Sequence, residues 1–391
     1  MKKSPLFVIF LVVFFDLVGF GIVIPILPYY SLEFGANAWQ LGLLMAIYSA
    51  AQFLFAPVWG ALSDHFGRRP ILLTTILFSA IAMAGTAAAS SLALLFLARG
   101  LAGVFGANIS TASAYIADVT PPEQRAKGMG VIGASFGLGF LFGPAIGGAL
   151  APYGYHVPIL TAAGLGILNL VFAFFVLKEP KIPEATRNQN RRKFSFGLMK
   201  ESLADPKAAL PILLFFFATL AMTQLEVSFG LFVLAKFGLG ARDAGFLLAG
   251  MGIVAVIVQG GLIGRLAKRF GEFRLVTSGF FISAIALTLS ANSPTPLLFA
   301  AALSILAVGT GLVNPSLSST VSKAAPAQKT GEVLGVYQSA GSLARIIGPP
   351  VSGYFFDTLG IMSPIYSAAC LMIIAIIIAF SRRRFFVGAD Q

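Results

Sequence analysis

The chain has 391 residues, of which 57% are apolar and 11% are charged, and its formal net charge is +12. Soluble domains carry about 25% charged residues, so this composition excludes an ordinary soluble domain and indicates a membrane protein. Most of the 27 lysines and arginines are spread over seven separate loops. They lack the aromatic interleaving and the fold signature of nucleic-acid binding, so nucleic acid is not an expected partner.

Apolar stretches of roughly 18 or more residues recur along the whole chain, and each is long enough to cross ~30 Å of hydrocarbon as a helix. Open backbone cannot face lipid, and the alternating pattern of a membrane barrel is absent, so we expect helices. Twelve spans are predicted, over 5–30, 40–62, 71–90, 92–117, 128–151, 157–177, 208–234, 243–264, 275–292, 296–321, 332–355 and 362–380.

Lysine and arginine lie almost entirely on one side of these spans. The two termini and alternate loops hold 23 of the 27, whereas only Lys236 and Arg242 lie in the other set of loops. Because positive residues are retained on the cytoplasmic side, both termini and all the basic loops are expected in the cytoplasm. The expected location is the cell (inner) membrane, which the chain crosses many times.

A polar linker divides the twelve spans into six and six. We predict an N-terminal six-helix bundle over 1–178, a cytoplasmic linker over 179–207 and a C-terminal six-helix bundle over 208–391. The halves repeat a pattern, since GALSDHFG at 60–67 matches GRLAKRFG at 264–271 in position and spacing. Parallel repeats of this kind enclose a substrate site in secondary transporters. The expected fold class is an all-α membrane protein with two pseudo-symmetric bundles around a central cavity.

Three segments resemble a known family. GALSDHFGRRP at 60–70 is similar to the signature between helices 2 and 3 of the major facilitator superfamily, and GASFGLGFLFGPAIGG at 133–148 resembles the helix 5 signature of its drug:proton antiporters. DLVGFGIVIPILP at 16–28 is similar to the first helix of tetracycline-type exporters. The helix 5 motif residues are Gly133, Gly137, Gly143, Pro144 and Gly147.

The resemblance implies a twelve-helix drug:proton antiporter that exports lipophilic or cationic small molecules by alternating access. We expect a monomer whose partners are a small-molecule substrate and membrane lipids. The chain departs from the tetracycline exporters, which carry an acid inside helix 3 and a His and an acid in helices 8 and 9. Here 71–90, 243–264 and 275–292 hold no His and no embedded acid, so tetracycline itself is not the expected substrate.

Four ionisable side chains lie within the predicted spans: Asp16, Arg99, Glu226 and Arg345. A charge at the centre of a span costs roughly 2.5 to 3.5 kcal/mol on insertion scales, so each is a candidate functional residue. Asp16 lies ~16 Å along its helix, near the middle of the bilayer. We expect Asp16, Glu226 and Arg99 to carry proton coupling, with the roles of Glu226 and Arg99 implied by the resemblance. The alternatives are a hydrogen-bonded core acid for Asp16 and simple pairing of Arg99 with Asp16.

The expected substrate cavity is lined by polar side chains from several spans. Three roles are open to Arg345: contact with an anionic substrate group, pairing with Glu226, or reaching towards the membrane surface. The full expected set is Asp16, Asn108, Gln224, Glu226, Gln338 and Arg345.

The charged loop after the second span is a candidate cytoplasmic gate. In the family such a cluster resembles a latch, and Asp118 at the end of the fourth span is a reachable partner for Arg68. The alternative is that the arginines only fix topology. The predicted gate residues are Gly60, Asp64, Gly67, Arg68 and Asp118.

Signatures of enzymes and nucleotide sites are absent or out of context. No GxxxxGK[ST] loop occurs, and GASFG at 133–137 lacks the preceding strand and the His partner that a nucleophile elbow needs. We expect no enzyme, no metal and no cofactor other than the coupling proton. The functional alternatives are a proton symporter or facilitator for a metabolite, which could be anionic, and a lipid flippase.

Overall fold

The computed structural model describes residues 5–120, 125–180, 202–326 and 330–386, and no strand occurs in these ranges. The expected all-α fold class is confirmed. The helices are α1 Pro5–Glu33, α2 Ala38–Phe66, α3 Arg68–Ala87, α4 Leu92–Phe105, α5 Asn108–Val119, α6 Arg125–Leu150, α7 His156–Val176, α8 Pro206–Phe237, α9 Ala241–Ile257, α10 Ile263–Asn292, α11 Pro296–Ala324, α12 Thr330–Leu359 and α13 Ser363–Ser381. In α6, side chains are described from residue 132 onwards.

Long apolar helices account for nearly all the predicted spans. Within the described residues, 10 helical segments are long and apolar enough to cross a bilayer. One of them, Ala241–Asn292, covers two predicted spans, because α9, a π-helical turn at Val258–Leu262 and α10 follow one another without a loop. The predicted span over 332–355 is helix α12, which is not among the 10 because its charged, Gly and Ser residues lower its mean hydropathy.

Two interruptions of the helices shape the candidate sites. Gly271 has φ 74° and ψ 159° inside α10, a conformation that glycine adopts without steric cost, and it separates two predicted spans. The predicted span over 92–117 is also broken, because α4 ends at Phe105 and α5 begins at Asn108. A Cβ on Gly106 would lie 2.6 Å from the Tyr48 hydroxyl oxygen, so the break lies where α2 approaches closely.

The chain folds into two compact units. Unit 1 comprises residues within 1–36, 47–193 and 240–249. In it α1 packs along α6 and α7, and α3 packs along α7. Its apolar core includes Val8, Ile9, Leu72, Ile76 and Ile116. The domain boundaries given above remain a prediction.

Unit 2 comprises residues within 37–46, 194–239 and 250–391. In it α8 packs against α12 and α13, and α10 packs along α11. Side-chain oxygens cap the N-termini of α8 and α11: Asp205 accepts from the Lys207 amide at 3.0 Å, and Thr295 accepts from the Leu298 amide at 3.4 Å. These caps satisfy backbone amides that have no partner within the helix.

Candidate functional site

Asp16 lies half-buried in the middle of α1 and has a neutral amide as its hydrogen-bond partner. The Nδ2 of Asn108 donates to the Oδ2 of Asp16 at 2.9 Å, and Asn108 is only 5% exposed. Asn108 is the first residue of α5, so the break after α4 determines where its side chain meets α1. The structure thus brings together two of the residues expected to line a cavity.

Two polar side chains fix the backbone of α1 just before Asp16. The Nδ2 of Asn169 on α7 donates to the Val12 carbonyl at 2.9 Å, and the Oγ of Ser135 on α6 donates to the Phe10 carbonyl at 3.3 Å. Val12 is four residues before Asp16, so its carbonyl is the helical acceptor for the Asp16 amide. Asn169 was missed from the sequence, where its signal is a lone amide in an apolar span.

Arg99 faces α2 and not Asp16. Its Cζ lies 4.5 Å from the centroid of the Tyr48 ring, a distance typical of a cation–π contact. Gly103 permits this approach, since a Cβ there would lie 2.3 Å from the Tyr48 carbonyl oxygen. Among the described residues Asp16 and Arg99 form no salt bridge, so the structure lacks the ion pair that the alternative role of Arg99 required.

The guanidinium of Arg99 keeps unused donors in a buried place. The residue is 3% exposed, and its Nε and Nη1 have no hydrogen-bond partner within the part of the chain that the structure describes. A buried guanidinium with free N–H groups is costly unless another group binds it. Arg99 is therefore able to bind an anionic or carbonyl group that reaches it.

Glu226 on α8 and Arg345 on α12 interact electrostatically in unit 2. Both side chains are half-buried, and opposite charges offset part of the cost of placing either one in lipid. The charge of Arg345 also acts on Tyr337, whose ring stacks on Phe215 with the centroids 3.9 Å apart. Of the three roles open to Arg345, this arrangement favours pairing with Glu226.

The other two residues expected in the cavity differ in exposure. Gln338 on α12 is exposed. Gln224 on α8 is 2% exposed, and its Oε1 has no hydrogen-bond partner among the described residues. Unit 2 therefore holds four of the six expected cavity residues, and unit 1 holds Asp16 and Asn108.

Arg68 is the centre of the predicted cytoplasmic gate. It is buried, its Nη2 lies 2.6 Å from Asp64 Oδ1, and its Nε lies 2.8 Å from Asp118 Oδ2. Its Nη1 donates to the Ser63 hydroxyl at 2.6 Å, and that hydroxyl donates to the Gly60 carbonyl at 2.7 Å. A charge with this many partners fastens α2, α3 and α5 at one point.

Glu179 joins this cluster and was missed from the sequence, where no motif marks it. Its two carboxylate oxygens accept from the backbone amides of Arg68 at 2.6 Å and Arg69 at 2.8 Å. A carboxylate at this position satisfies free amides and complements the helix dipole. Gly67 has φ 103°, and a Cβ there would lie 2.8 Å from Glu179 Oε1. Glycine is therefore needed at 67 for both the turn and the cap.

Replacing Glu179 with alanine is expected to destabilise the protein by about 1 kcal/mol, because α3 loses its cap. Thermal or denaturant unfolding in detergent would measure the change. Lys178→Ala is the matched control, since Lys178 is the exposed neighbour and its side chain caps no helix in the described residues. Equal stability of the Glu179 variant and the wild type would contradict the capping role.

Unit 2 carries a similar ion pair at the matching position of the repeat. Glu272 pairs with Lys323, and the Ser319 hydroxyl donates to Glu272 Oε1 at 3.1 Å. Burial alone would raise the pKa of Glu272, but the hydrogen bonds from Lys323, the backbone and Ser319 outweigh burial and leave the pKa below its usual value. The pair therefore stabilises the protein at pH values above the usual pKa of a glutamate. This stabilisation is lost as the pH falls through the lowered pKa of Glu272.

The helix 5 motif in α6 divides into glycines that pack and glycines that do not. A Cβ on Gly143 would lie 2.6 Å from the Cα of Gly21, and a Cβ on Gly147 would lie 2.5 Å from the Ile22 carbonyl oxygen. Gly133 has no atom within 4 Å of its Cβ position. Gly137 is half-buried and Pro144 lies inside the helix.

Long apolar helices that hold ionisable side chains within their spans are typical of membrane proteins that move ions or substrates. The chain belongs to the major facilitator superfamily, whose family model matches residues 9–349. The resemblance seen in three segments is thereby confirmed, and the protein is a multi-pass membrane protein that sits in lipid and takes small-molecule substrates.

Similar proteins cover nearly the whole chain. The class D tetracycline resistance protein of Salmonella ordonez is 31% identical over 91% of this chain and 90% of its own length. Multidrug resistance protein 2 of Bacillus subtilis is 28% identical over 96% of both chains. The quinolone resistance protein NorA of Staphylococcus aureus is 25% identical over 98% of this chain and 97% of its own length.

Solved structures share the fold. The human organic anion transporter MFSD10 (TETRAN) matches with a TM-score of 0.74 at 24% identity, over 97% of this chain and 99% of that one. An inward-facing bacterial homologue of the human lysosomal transporter Spinster matches with a TM-score of 0.80 at 17% identity, over 99% and 97%. At these identities the likeness shows the fold alone.

Proposed function

We propose that the protein exports lipophilic or cationic small molecules in exchange for protons, by alternating access. The observation that carries this proposal is Asp16, an acid within a lipid-spanning helix whose partner is the neutral amide of Asn108 and not a cation. A carboxylate held this way can gain and lose a proton without breaking an ion pair. The relatives named for tetracycline, multidrug and quinolone resistance support export as the direction.

Exchange follows when one site holds either a proton or the substrate. Asp16, assisted by Glu226, binds a proton from outside and releases it to the cytoplasm, while the substrate binds the deprotonated form and leaves outwards. Inward movement of one proton supplies ~2.3 kcal/mol per 100 mV of membrane potential. The proton is then the only coupling species, with no metal, nucleotide or other cofactor, and the protein acts as a monomer that is neither an enzyme nor a nucleic-acid binder.

The charged clusters have separate roles in this proposal. Arg68 and its carboxylate partners Asp64 and Asp118 hold the cytoplasmic ends of α2, α3 and α5 together. They act as a gate, because the ion pairs stabilise one state of alternating access relative to the other. Arg345 interacts with Glu226 until a proton or a cationic substrate competes for that carboxyl group. Arg99 offers free donors beside Tyr48 in unit 1.

Everted membrane vesicles with an acidic lumen test the proposal directly. Addition of a lipophilic cation should release protons from the lumen, and the cation should accumulate inside. Proton movement of the opposite sign would indicate symport, and labelled lipid movement independent of any drug would indicate a flippase. Tetracycline is a second substrate in the same assay, and we expect little transport because α3 carries no acid. Absence of any substrate-dependent proton flux would contradict antiport.

A further inference from the structure

Asn108 uses only one of the two polar atoms of its amide. Its Nδ2 donates to Asp16 Oδ2 at 2.9 Å, whereas its Oδ1 is buried and has no hydrogen-bond partner among the described residues. An ionised carboxylate only accepts hydrogen bonds, but a carboxylic acid also donates one through its hydroxyl. The unused Oδ1 is therefore the acceptor that a protonated Asp16 needs.

The residue also stands at the break between α4 and α5. Two backbone carbonyls at this break accept hydrogen bonds from α2: Gln52 Nε2 donates to the Gly106 carbonyl at 2.8 Å, and Trp59 Nε1 donates to the Val104 carbonyl at 2.7 Å. Interrupted helices in transporters often lie at substrate and ion sites, with their freed groups bound by neighbours. Asn108 thus contacts α1 through its side chain, while its backbone begins a helix whose entry α2 holds in place.

We propose that Asn108 is a positioning residue that follows the ionisation of Asp16: it donates to the carboxylate and, after its amide rotates about the Cβ–Cγ bond, accepts from the carboxylic acid. This inference rests on the proposed proton coupling and deepens it. When a hydronium ion transfers a proton to Asp16, an O–H bond of the hydronium breaks, an O–H bond forms on the carboxyl group, and water leaves with the negative charge neutralised. The new hydroxyl donates to Oδ1, and Nδ2 is released. Because Asn108 is the first residue of α5, this change of hydrogen bond acts directly on the interrupted span.

One titratable side chain of α2 lies near the pair: the centroid of the Tyr48 ring is 5.5 Å from that of Phe20, and its hydroxyl oxygen would lie 2.6 Å from a Cβ on Gly106, two residues before Asn108. Arg99 lies over the same ring. The titratable groups on the helices that pack along α1 are remote from the pair. On the elements packed against α1 they are Tyr115, Asp118, Arg125, Lys127 and His156. His156 lies six residues before Ala162, which contacts Gly19 of α1, and this separation is ~9 Å of helix. Tyr115 lies ~10 Å beyond Asn108 along α5 and donates to the Lys178 carbonyl. Asp118 is bound by Arg68, and Arg125 and Lys127 begin α6, at least ~18 Å before Gly139, which contacts Leu17.

Asn108→Leu removes both polar atoms at nearly constant volume and tests the proposal. The carboxylate of Asp16 then loses a charge-assisted hydrogen bond, and the carboxylic acid loses a weaker neutral one. Because the carboxylate loses more, Asp16 binds a proton at higher pH. We expect the pH midpoint of substrate-driven proton release to rise by about one unit. Asn108→Ala serves the same purpose if the leucine variant does not fold.

Asn169→Leu is the matched control, because Asn169 is also a buried amide and its partner is the Val12 carbonyl, which does not titrate. It should lower the yield of folded protein and leave the pH midpoint unchanged. An unshifted midpoint in the Asn108 variants, or equal shifts in the Asn108 and Asn169 variants, would overturn the inference. Wild-type protein without any pH-dependent proton release would instead overturn the proposed function itself.

Discussion

Replacing Asp16 with asparagine is expected to abolish concentrative export while leaving the protein folded. The asparagine has the shape of the carboxylate and can still accept from Asn108 through its own Oδ1, so the contact between α1 and α5 is kept. It cannot bind or release a proton. One proton moving through 100 mV supplies ~2.3 kcal/mol, which corresponds to a ~50-fold concentration of an uncharged substrate that is exchanged for one proton. The variant should lose this whole factor.

Two measurements separate loss of coupling from loss of the protein. Everted vesicles with the Asp16→Asn variant should show no accumulation against a gradient, while substrate binding and downhill exchange persist. Glu33→Gln is the matched control, since Glu33 is the exposed last residue of the same helix, and it should transport as the wild type does. Full accumulation by the Asp16→Asn variant would show that the acid on α1 is not where the proton is exchanged.

The helices were predictable from the sequence because lipid imposes a length and a composition on every span. The break between α4 and α5 was not, because it depends on how closely Tyr48 approaches Gly106 and on donors supplied by α2. No local pattern of apolar residues records such a contact. The sequence shows no sign of the bend at Gly271 other than its position as the last residue of the repeated segment 264–271.

The candidate site was predictable as a set of residues and not as a set of contacts. Asp16 and Arg99 are conspicuous because charges are rare in spans, but the sequence does not give the rotation of a helix about its axis. The sequence therefore does not predict that Arg99 contacts Tyr48 or that Asp16 binds Asn108. Polar residues that bind the backbone, such as Asn169 and Glu179, carry no motif.

The internal repeat contains an ion pair whose charges are reversed between the units. Arg68 with Asp118 in unit 1 matches Glu272 with Lys323 in unit 2, at offsets of 204 and 205 residues, and 204 is also the offset between Gly60 and Gly264. Comparison by residue type conceals this match, because no residue is identical. An ion pair occurs at the matching position of both units, although the residue that carries the positive charge in one unit corresponds to the residue that carries the negative charge in the other.

Gly143→Val is expected to prevent folding of unit 1, whereas Gly133→Val on the same helix is expected to fold normally. A Cβ at 143 would lie 2.6 Å from both the Cα and the carbonyl carbon of Gly21. Carbon atoms pack at ~3.5 to 4.0 Å, so α1 and α6 would have to separate by ~1 Å or more. Overpacking against side chains costs ~1 to 3 kcal/mol, and backbone cannot rotate away as a side chain can. Close helix packing in membranes depends on such small residues.

The yield of monodisperse protein in detergent and its unfolding temperature would measure the difference. The two valines have the same helix propensity, so the contrast isolates the contact with Gly21. Similar loss of folded protein in both variants would contradict packing as the reason for Gly143. If Gly133→Val folds but fails to transport, then this exposed glycine serves transport and Gly143 serves assembly, and the motif joins two requirements that sequence comparison cannot separate.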